Sequence, residues 1–271
     1  MEERTMYRKF ISKTLAVILS AAMLTVSAAA AKVEVNGTIL MAEEGWVEDG
    51  VSYITLDALS REGGYLLTWN DQKLTLSGQG AELTVQPGAL YIEVNGRVLY
   101  VPGGVRTVDG ETALPLRLLE NALGANVEWD GEERIASLDT QDAQPKNADY
   151  GEEDLYWLSR IISAESRGEP LLGQLAVGNV VLNRVADTQF PSTIKSVIFD
   201  QKNGVQFEPT ENGTVYLEPT ANSLMAAKMV LEGADVVGDC LYFFAPALSK
   251  GTWIVNNRTY HTTIGCHRFY F

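Results

Sequence analysis

One block of the chain is written twice. ITLDALSREGGYLLTWN at residues 54–70 returns as LPLRLLENALGANVEWD at residues 114–130, 60 positions later. Ile54 matches Leu114, Leu56 matches Leu116, Leu59 matches Leu119, Gly64 matches Gly124 and Trp69 matches Trp129. Upstream, Val35-Asn36-Gly37 returns as Val94-Asn95-Gly96. Such a repeat commits the front half to two copies of one supersecondary unit. Each copy predicts a strand turning at Asn-Gly, a short helix, a glycine stop and a hairpin carrying a Trp. Neither copy alone holds much core, so the two are expected to pack on each other. Trp69 and Trp129 are expected inside that core, and sugar stacking by Trp46, Trp69 and Trp129 is the alternative use of the three rings.

Apolar periodicity stops at DTQDAQPKNADYGEED, residues 139–154, which is polar, acidic and contains Pro145. Residues 139–151 are therefore expected to link the duplicated α+β unit of residues 32–138 to a second domain at 152–271. That domain opens on EDLYWLSRIISAESRGEPLLGQLAVGNVVLNRV, residues 153–185. Leu155, Leu158 and Ile162 fall on one helical stripe, and the next position on it is Glu165. A carboxyl stands where the pattern asks for an apolar side chain. Arg167-Gly168-Glu169-Pro170 reads as a corner, with Gly168 closing the first helix in left-handed geometry and Pro170 opening a second that runs to about Val185. The corner separates Glu165 from Glu169, so the two are not a carboxylate pair made by helical spacing. A carboxyl in a greasy niche holds its proton to higher pH and can act as a general acid; a structural Glu paired with Arg160, Arg167 or Arg184 is the plainer reading of the same pattern.

Glu165-x-Arg167-Gly168-Glu169-Pro170, Gly173-Gln174-x-Ala176-Val177 and Asn183-Arg184-Val185 follow one another without a gap. This run resembles the signature of the cell-wall hydrolase family that includes the spore cortex-lytic enzymes, and the likeness extends more loosely over residues 152–271. The repeated front half resembles the small α+β stalk domain named after the N-terminal region of copper amine oxidases, which carries neither copper nor oxidase activity. The resemblance implies an α+β protein in which a duplicated stalk precedes a mainly helical, lysozyme-like hydrolase domain with a C-terminal β-hairpin. It also implies Glu165 as the catalytic acid, and a cleft bordered by Gln206-Phe207. Family members commonly carry Asn-Pro after the strand at 241–244, where this chain has Ala245-Pro246.

The rest of the second half is consistent with that outline. A short amphipathic turn is expected at Ile194, Val197 and Ile198, an irregular excursion at 200–219, and a helix at about 219–232 ending at Gly233. Leu241-Tyr242-Phe243-Phe244 reads as a strand. Trp253, the segment 258–261 and Gly265-x-His267-x-Phe269-Tyr270 read as a closing hairpin with Asn256-Asn257 as its turn. Trp253 and His267, with Gln206 and Phe207, are the expected substrate contacts. His261 and His267 are the only histidines, so a zinc centre would need both plus a carboxylate; no metal and no cofactor is expected. Gly-x-Ser-x-Gly, Walker and Gly-x-Gly-x-x-Gly patterns are all missing.

Arg4, Arg8, Lys9 and Lys13 precede an uncharged run at 14–31 that ends in four alanines, which reads as a signal peptide over residues 1–31 and predicts a secreted protein of the cell wall or spore envelope. The formal net charge is −14, and residues 32–150 hold 8 basic against 20 acidic side chains. That balance repels nucleic acid and anionic lipid. Cys240 and Cys266 could form a disulfide after export or remain two thiols. The expected function is a monomeric lytic transglycosylase acting on peptidoglycan glycan strands, with wall contact through the stalk. A metal-dependent amidase using His261 and His267 and a non-catalytic wall-binding protein are the alternatives.

Overall fold

The computed structural model describes residues 30–202 and 204–271, so the segment read as a signal peptide lies outside the described residues but for its last two positions. The front half is two copies of a hairpin–hairpin–helix–hairpin unit. The first copy comprises β1 (Lys32–Val35), β2 (Thr38–Ile39), β3 (Gly45–Glu48), β4 (Val51–Thr55), α1 (Leu56–Gly63), β5 (Leu66–Asn70) and β6 (Lys73–Gly78). A joining strand, β7 (Ala81–Val85), follows. The second copy comprises β8 (Tyr91–Val94), β9 (Arg97–Tyr100), β10 (Arg106–Val108), β11 (Glu111–Pro115), α2 (Leu116–Leu123), β12 (Asn126–Asp130) and β13 (Ile135–Asp139). Both Asn-Gly turns take positive φ at their two central residues, 47° and 85° at Asn36-Gly37 and 48° and 81° at Asn95-Gly96, as two-residue hairpins require.

The copies are interlaced. β4 pairs with β11, so the sheet β10-β11-β4-β3 takes two strands from each copy. β13 pairs parallel with β1 in the sheet β12-β13-β1-β2, and β7 lies between β6 and β8 in the sheet β5-β6-β7-β8-β9. The matched residues Leu56, Leu59, Leu116 and Leu119 are all buried in one shared core. Trp69 and Trp129 depart from expectation: they are 64% and 51% exposed. β5 and β12 are edge strands. Leu67 and Val127 are the residues of that face that reach the core, while each Trp stands further out, beside the turn. The Trp69 indole is tied there, with Nε1 donating to the Asp71 carbonyl at 2.7 Å.

The second half runs α3 (Glu152–Ser166), α4 (Leu171–Ala186), α5 (Ile194–Ile198), α6 (Pro209–Asn212), α7 (Ala221–Leu231), β14 (Tyr242–Phe244), α8 (Thr252–Asn257), β15 (Tyr260–Ile264) and β16 (His267–Tyr270). Acidic Glu152, Glu153 and Asp154 in the first turn of α3 suit the positive end of its dipole. Helices α3, α4 and α7 meet at Gly178, where a Cβ would lie 2.8 Å from Ile162 Cδ1 and 3.0 Å from Val230 Cγ2. The closing strands form a sheet in the order β14-β16-β15. Asn256-Asn257 end α8 rather than turning the hairpin, which turns instead at Gly265-Cys266, and Trp253 lies on α8. Gly168 is not left-handed: α3 ends at Arg167 in right-handed geometry (φ −56°, ψ −26°), and extended Pro170 redirects the chain. Both cysteines are free thiols, Cys240 buried and Cys266 exposed.

The segment expected to link the halves is pinned down. Thr140 N donates to Asn36 Oδ1 at 2.8 Å, Gln144 N donates to Gly124 O at 3.2 Å, and Ala143 is buried. The halves also touch directly. Val98 of β9 is buried in the apolar core of the second half, and Tyr91 and Tyr100 pack against it. Beside them Arg97 Nη2 meets Glu232 Oε2 at 2.7 Å, with side chains 5% and 9% exposed. Arg97 also donates from Nη1 to the Asn121 carbonyl and from Nη2 to Asn121 Oδ1, both at 2.9 Å.

Candidate active site

Leu158 and Ile162 of α3 are fully buried, and Glu165, the next residue on their stripe, is half-buried. Burial pushes its carboxyl up to about 7; the Glu208 carboxylate adds to the rise and the Arg184 guanidinium opposes it. No hydrogen bond contributes to that shift, and among the described residues no ion pair includes Glu165.

The polar side chains of α4 assemble the surroundings. Gln174 Nε2 donates to the Glu169 carbonyl at 3.0 Å, and its Oε1 accepts from Ser223 Oγ of α7 at 2.8 Å. Asn179 Nδ2 donates to Ala234 O at 2.6 Å and its Oδ1 accepts from Val236 N at 3.0 Å. Asn183 Nδ2 donates to Gly238 O at 2.6 Å and Cys240 O at 2.9 Å. These bonds fix the corner and the segment leading into β14, satisfying backbone groups that regular structure leaves unpaired.

Arg184 completes the series. Its Nε donates to Leu241 O at 2.8 Å and its Nη1 to Gln206 Oε1 at 3.4 Å. The guanidinium lies 5.0, 5.2 and 5.6 Å from the ring centroids of Phe190, Phe207 and Tyr242. Burial draws it down to about 10, which leaves it a cation at neutral pH, held by rings and carbonyls.

Of the residues read from sequence, Gln206 and Trp253 stand on this side of the domain. Gln206 accepts from Arg184 and donates to Gly204 O at 3.0 Å. Trp253 is 57% exposed, its ring tilted against Tyr242 at 5.9 Å, and the Tyr242 hydroxyl accepts from Arg258 at 2.7 Å. Phe207 and His267 do not present a surface to a substrate. Phe207 is 2% exposed, packed between Arg184 and Phe243. His267 is 6% exposed and edge-on to Phe243 at 5.3 Å; burial lowers its pKa, and its Nδ1 has no partner. His261 is exposed against Phe271 at 4.7 Å. Among the described residues no three His, Cys, Asp or Glu side chains gather into a metal-holding group. Glu169 is structural: its Oε2 accepts the Cys266 backbone N–H at 2.8 Å and so ties the β15–β16 turn to the corner.

Glu208, which follows Gln206-Phe207 directly, is not marked by any pattern in the sequence; its carboxylate acts on Glu165 through charge. Concavities of about 840 and 860 Å³ lie in the front half, not at Glu165.

The family model described as Cell Wall Hydrolase matches residues 168–270, and that described as Copper amine oxidase N-terminal domain matches residues 33–138. The cell wall hydrolase CwlJ of Oceanobacillus iheyensis is 31% identical over 103 residues, which are 36% of this chain and 72% of that protein. The chain belongs to the cell wall hydrolase family. The spore cortex-lytic enzyme of Bacillus cereus is 37% identical over 105 residues, and the match spans 39% of each chain, well under half of that relative. The catalytic domain of the germination-specific lytic transglycosylase SleB from Bacillus anthracis is 35% identical with a TM-score of 0.42, covering 46% of this chain and 100% of that one. The hydrolase family model begins just after Glu165. The front half carries the copper amine oxidase N-terminal-like unit.

Proposed function

We propose that this cell wall hydrolase is a peptidoglycan glycosidase, a lytic transglycosylase that cuts between N-acetylmuramic acid and N-acetylglucosamine with Glu165 as its catalytic residue. The reading is carried by one observation: a half-buried carboxyl, in no ion pair among the described residues, that burial pushes up to about 7. At neutral pH such a group is divided between acid and base forms, which suits both proton steps. Protonated Glu165 gives its proton to the glycosidic oxygen as the C1–O bond breaks and oxocarbenium character develops. The muramic acid 6-hydroxyl then bonds to C1 and returns its proton to Glu165, closing a 1,6-anhydro ring. Arg184 favours the carboxylate formed between the two steps, and Glu208 favours the acid that begins them. Similarity to a spore cortex-lytic enzyme and to a cell wall hydrolase supports spore cortex or cell wall peptidoglycan as the substrate, and the N-terminal sequence supports export.

The test is Glu165→Gln in the full chain, assayed on purified wall. A loss of at least about 100-fold in fragment release is expected for a missing general acid, and a variant that still cuts defeats the assignment. Product mass separates mechanisms: a hydrolase adds water across the bond, a transglycosylase does not.

A further inference from the structure

We propose that Arg258, held against the rings of Tyr242 and Trp253, binds a carboxylate of the peptide stem that hangs from the glycan strand. The proposal deepens the peptidoglycan reading above and rests on it. The Arg258 guanidinium lies 4.4 Å from the Tyr242 ring centroid and 5.1 Å from that of Trp253. Its Nη2 donates to the Tyr242 hydroxyl at 2.7 Å. Its Nε is buried without a partner, whereas its Nη1, which has no partner among the described residues, is not buried. The Nη1 end of the fork is thus open to solvent, beside a Trp253 that is 57% exposed.

Other arginines of the chain show how a structural one is satisfied. Arg97 uses its N–H groups on Glu232 and Asn121. Arg160 also has a buried Nε without a partner, but its Nη2 meets Glu218 Oε1 at 2.6 Å. Arg258 has no such carboxylate, since among the described residues no ion pair includes it, in a chain of formal net charge −14. A guanidinium taken partly out of water is costly unless its N–H groups find acceptors. Two aromatic rings supply part of the compensation. What is missing is an acceptor, and the planar fork matches a carboxylate.

The neighbours point to the source of that carboxylate. Arg184 lies 5.6 Å from the centroid of the same Tyr242 ring, and its charge acts on Glu165. Arg184 itself is engaged, with Nε on the Leu241 carbonyl and Nη1 on Gln206, so Arg258 is the cation beside that ring with an end to offer. In peptidoglycan the stem is joined through a lactyl group to the muramic acid whose C1–O bond Glu165 would cut. Its carboxylates therefore travel with the reacting sugar, and the exposed part of Trp253 leaves apolar surface for the sugar or alkyl groups next to them.

The test removes charge from the substrate before removing it from the protein. Purified peptidoglycan free of teichoic acid is treated with a carbodiimide and ammonium ion, which turns its carboxylates into carboxamides of nearly the same shape. Binding is read by co-sedimentation with the full chain carrying Glu165→Gln, so that the wall is not cut. The amidated wall is expected to bind roughly tenfold more weakly than the untreated wall. Net charge works in the opposite direction, because amidation relieves repulsion from an acidic chain. Adding Arg258→Met should weaken binding to untreated wall by a similar factor and abolish the difference between the two walls. Arg258→Lys, which keeps the charge without the fork, should fall between. Equal binding of both walls by the chain with Arg258 in place would overturn the proposal, and that result needs no variant to fold. So would an Arg258→Met chain that distinguishes the walls as its parent does. Fragment release from untreated wall by the chain with Glu165 intact is scored separately: its absence would defeat the glycosidase reading, whereas the loss of wall preference would defeat the carboxylate site.

Discussion

At Glu165 the chain places one ionisable group where charge of both signs acts on it. The sign of each effect can be tested without touching the group itself. Glu208 is exposed, and its negative charge raises the Glu165 pKa. In Glu208→Gln that push is gone, so Glu165 loses its proton at lower pH. The alkaline limb of the activity profile, expected near the pKa of about 7, should move to lower pH. Activity at neutral pH should fall by a factor of roughly two to five while activity well below the limb is unchanged. A limb that stays in place would remove Glu208 from the site. The same logic explains why Arg184 is a poor first target. Its Nε and Nη1 hold the Leu241 carbonyl and Gln206, so its removal changes structure and charge together.

Among the elements, the β15–β16 hairpin depends on a contact that strand propensity does not supply. Its turn residue Gly265 has φ +57°, and a Cβ there would lie 1.9 Å from Glu169 Oε2. Gly265→Ala therefore meets a left-handed backbone and a collision with the carboxylate that accepts the Cys266 N–H. A loss of about 2–3 kcal/mol is expected, seen as a fall of roughly 5–10 °C in Tm for a chain of this size. An unchanged Tm would show that Glu169 does not hold the turn. Gly178 illustrates the same principle inside the helical core, where the missing side chain is what lets α3, α4 and α7 close on one another.

For the whole molecule, the front half is a docked part and not a loose spacer. Arg97 and Glu232 are both nearly buried and meet across the contact, and a pair of that kind is costly to break from one side. Arg97→Ala should destabilise the chain by about 3–5 kcal/mol, because Glu232 is left without its partner. The double change Arg97→Met with Glu232→Leu should recover most of that, since no charge is then stranded. Urea unfolding followed by tryptophan fluorescence checks both, and a cost below about 1 kcal/mol for Arg97→Ala would mean that the pair is solvated and holds nothing together.

Local sequence determined the elements. The 60-residue repeat, the Asn-Gly turns and the stripe through Leu155, Leu158 and Ile162 set which segments became hairpins and helices, because turn chemistry and apolar period act over a few residues. The signature from Glu165 to Val185 likewise marked the α3–α4 corner. Tertiary structure decided the rest, since burial and charge depend on residues distant along the chain. It exposed Trp69 and Trp129 at edge strands, buried Phe207 and His267, and tied Glu169 to a distant hairpin turn. It also buried Glu165 and set Glu208 and Arg184 to act on it, and so raised the pKa of a carboxyl that sequence could only mark as out of place.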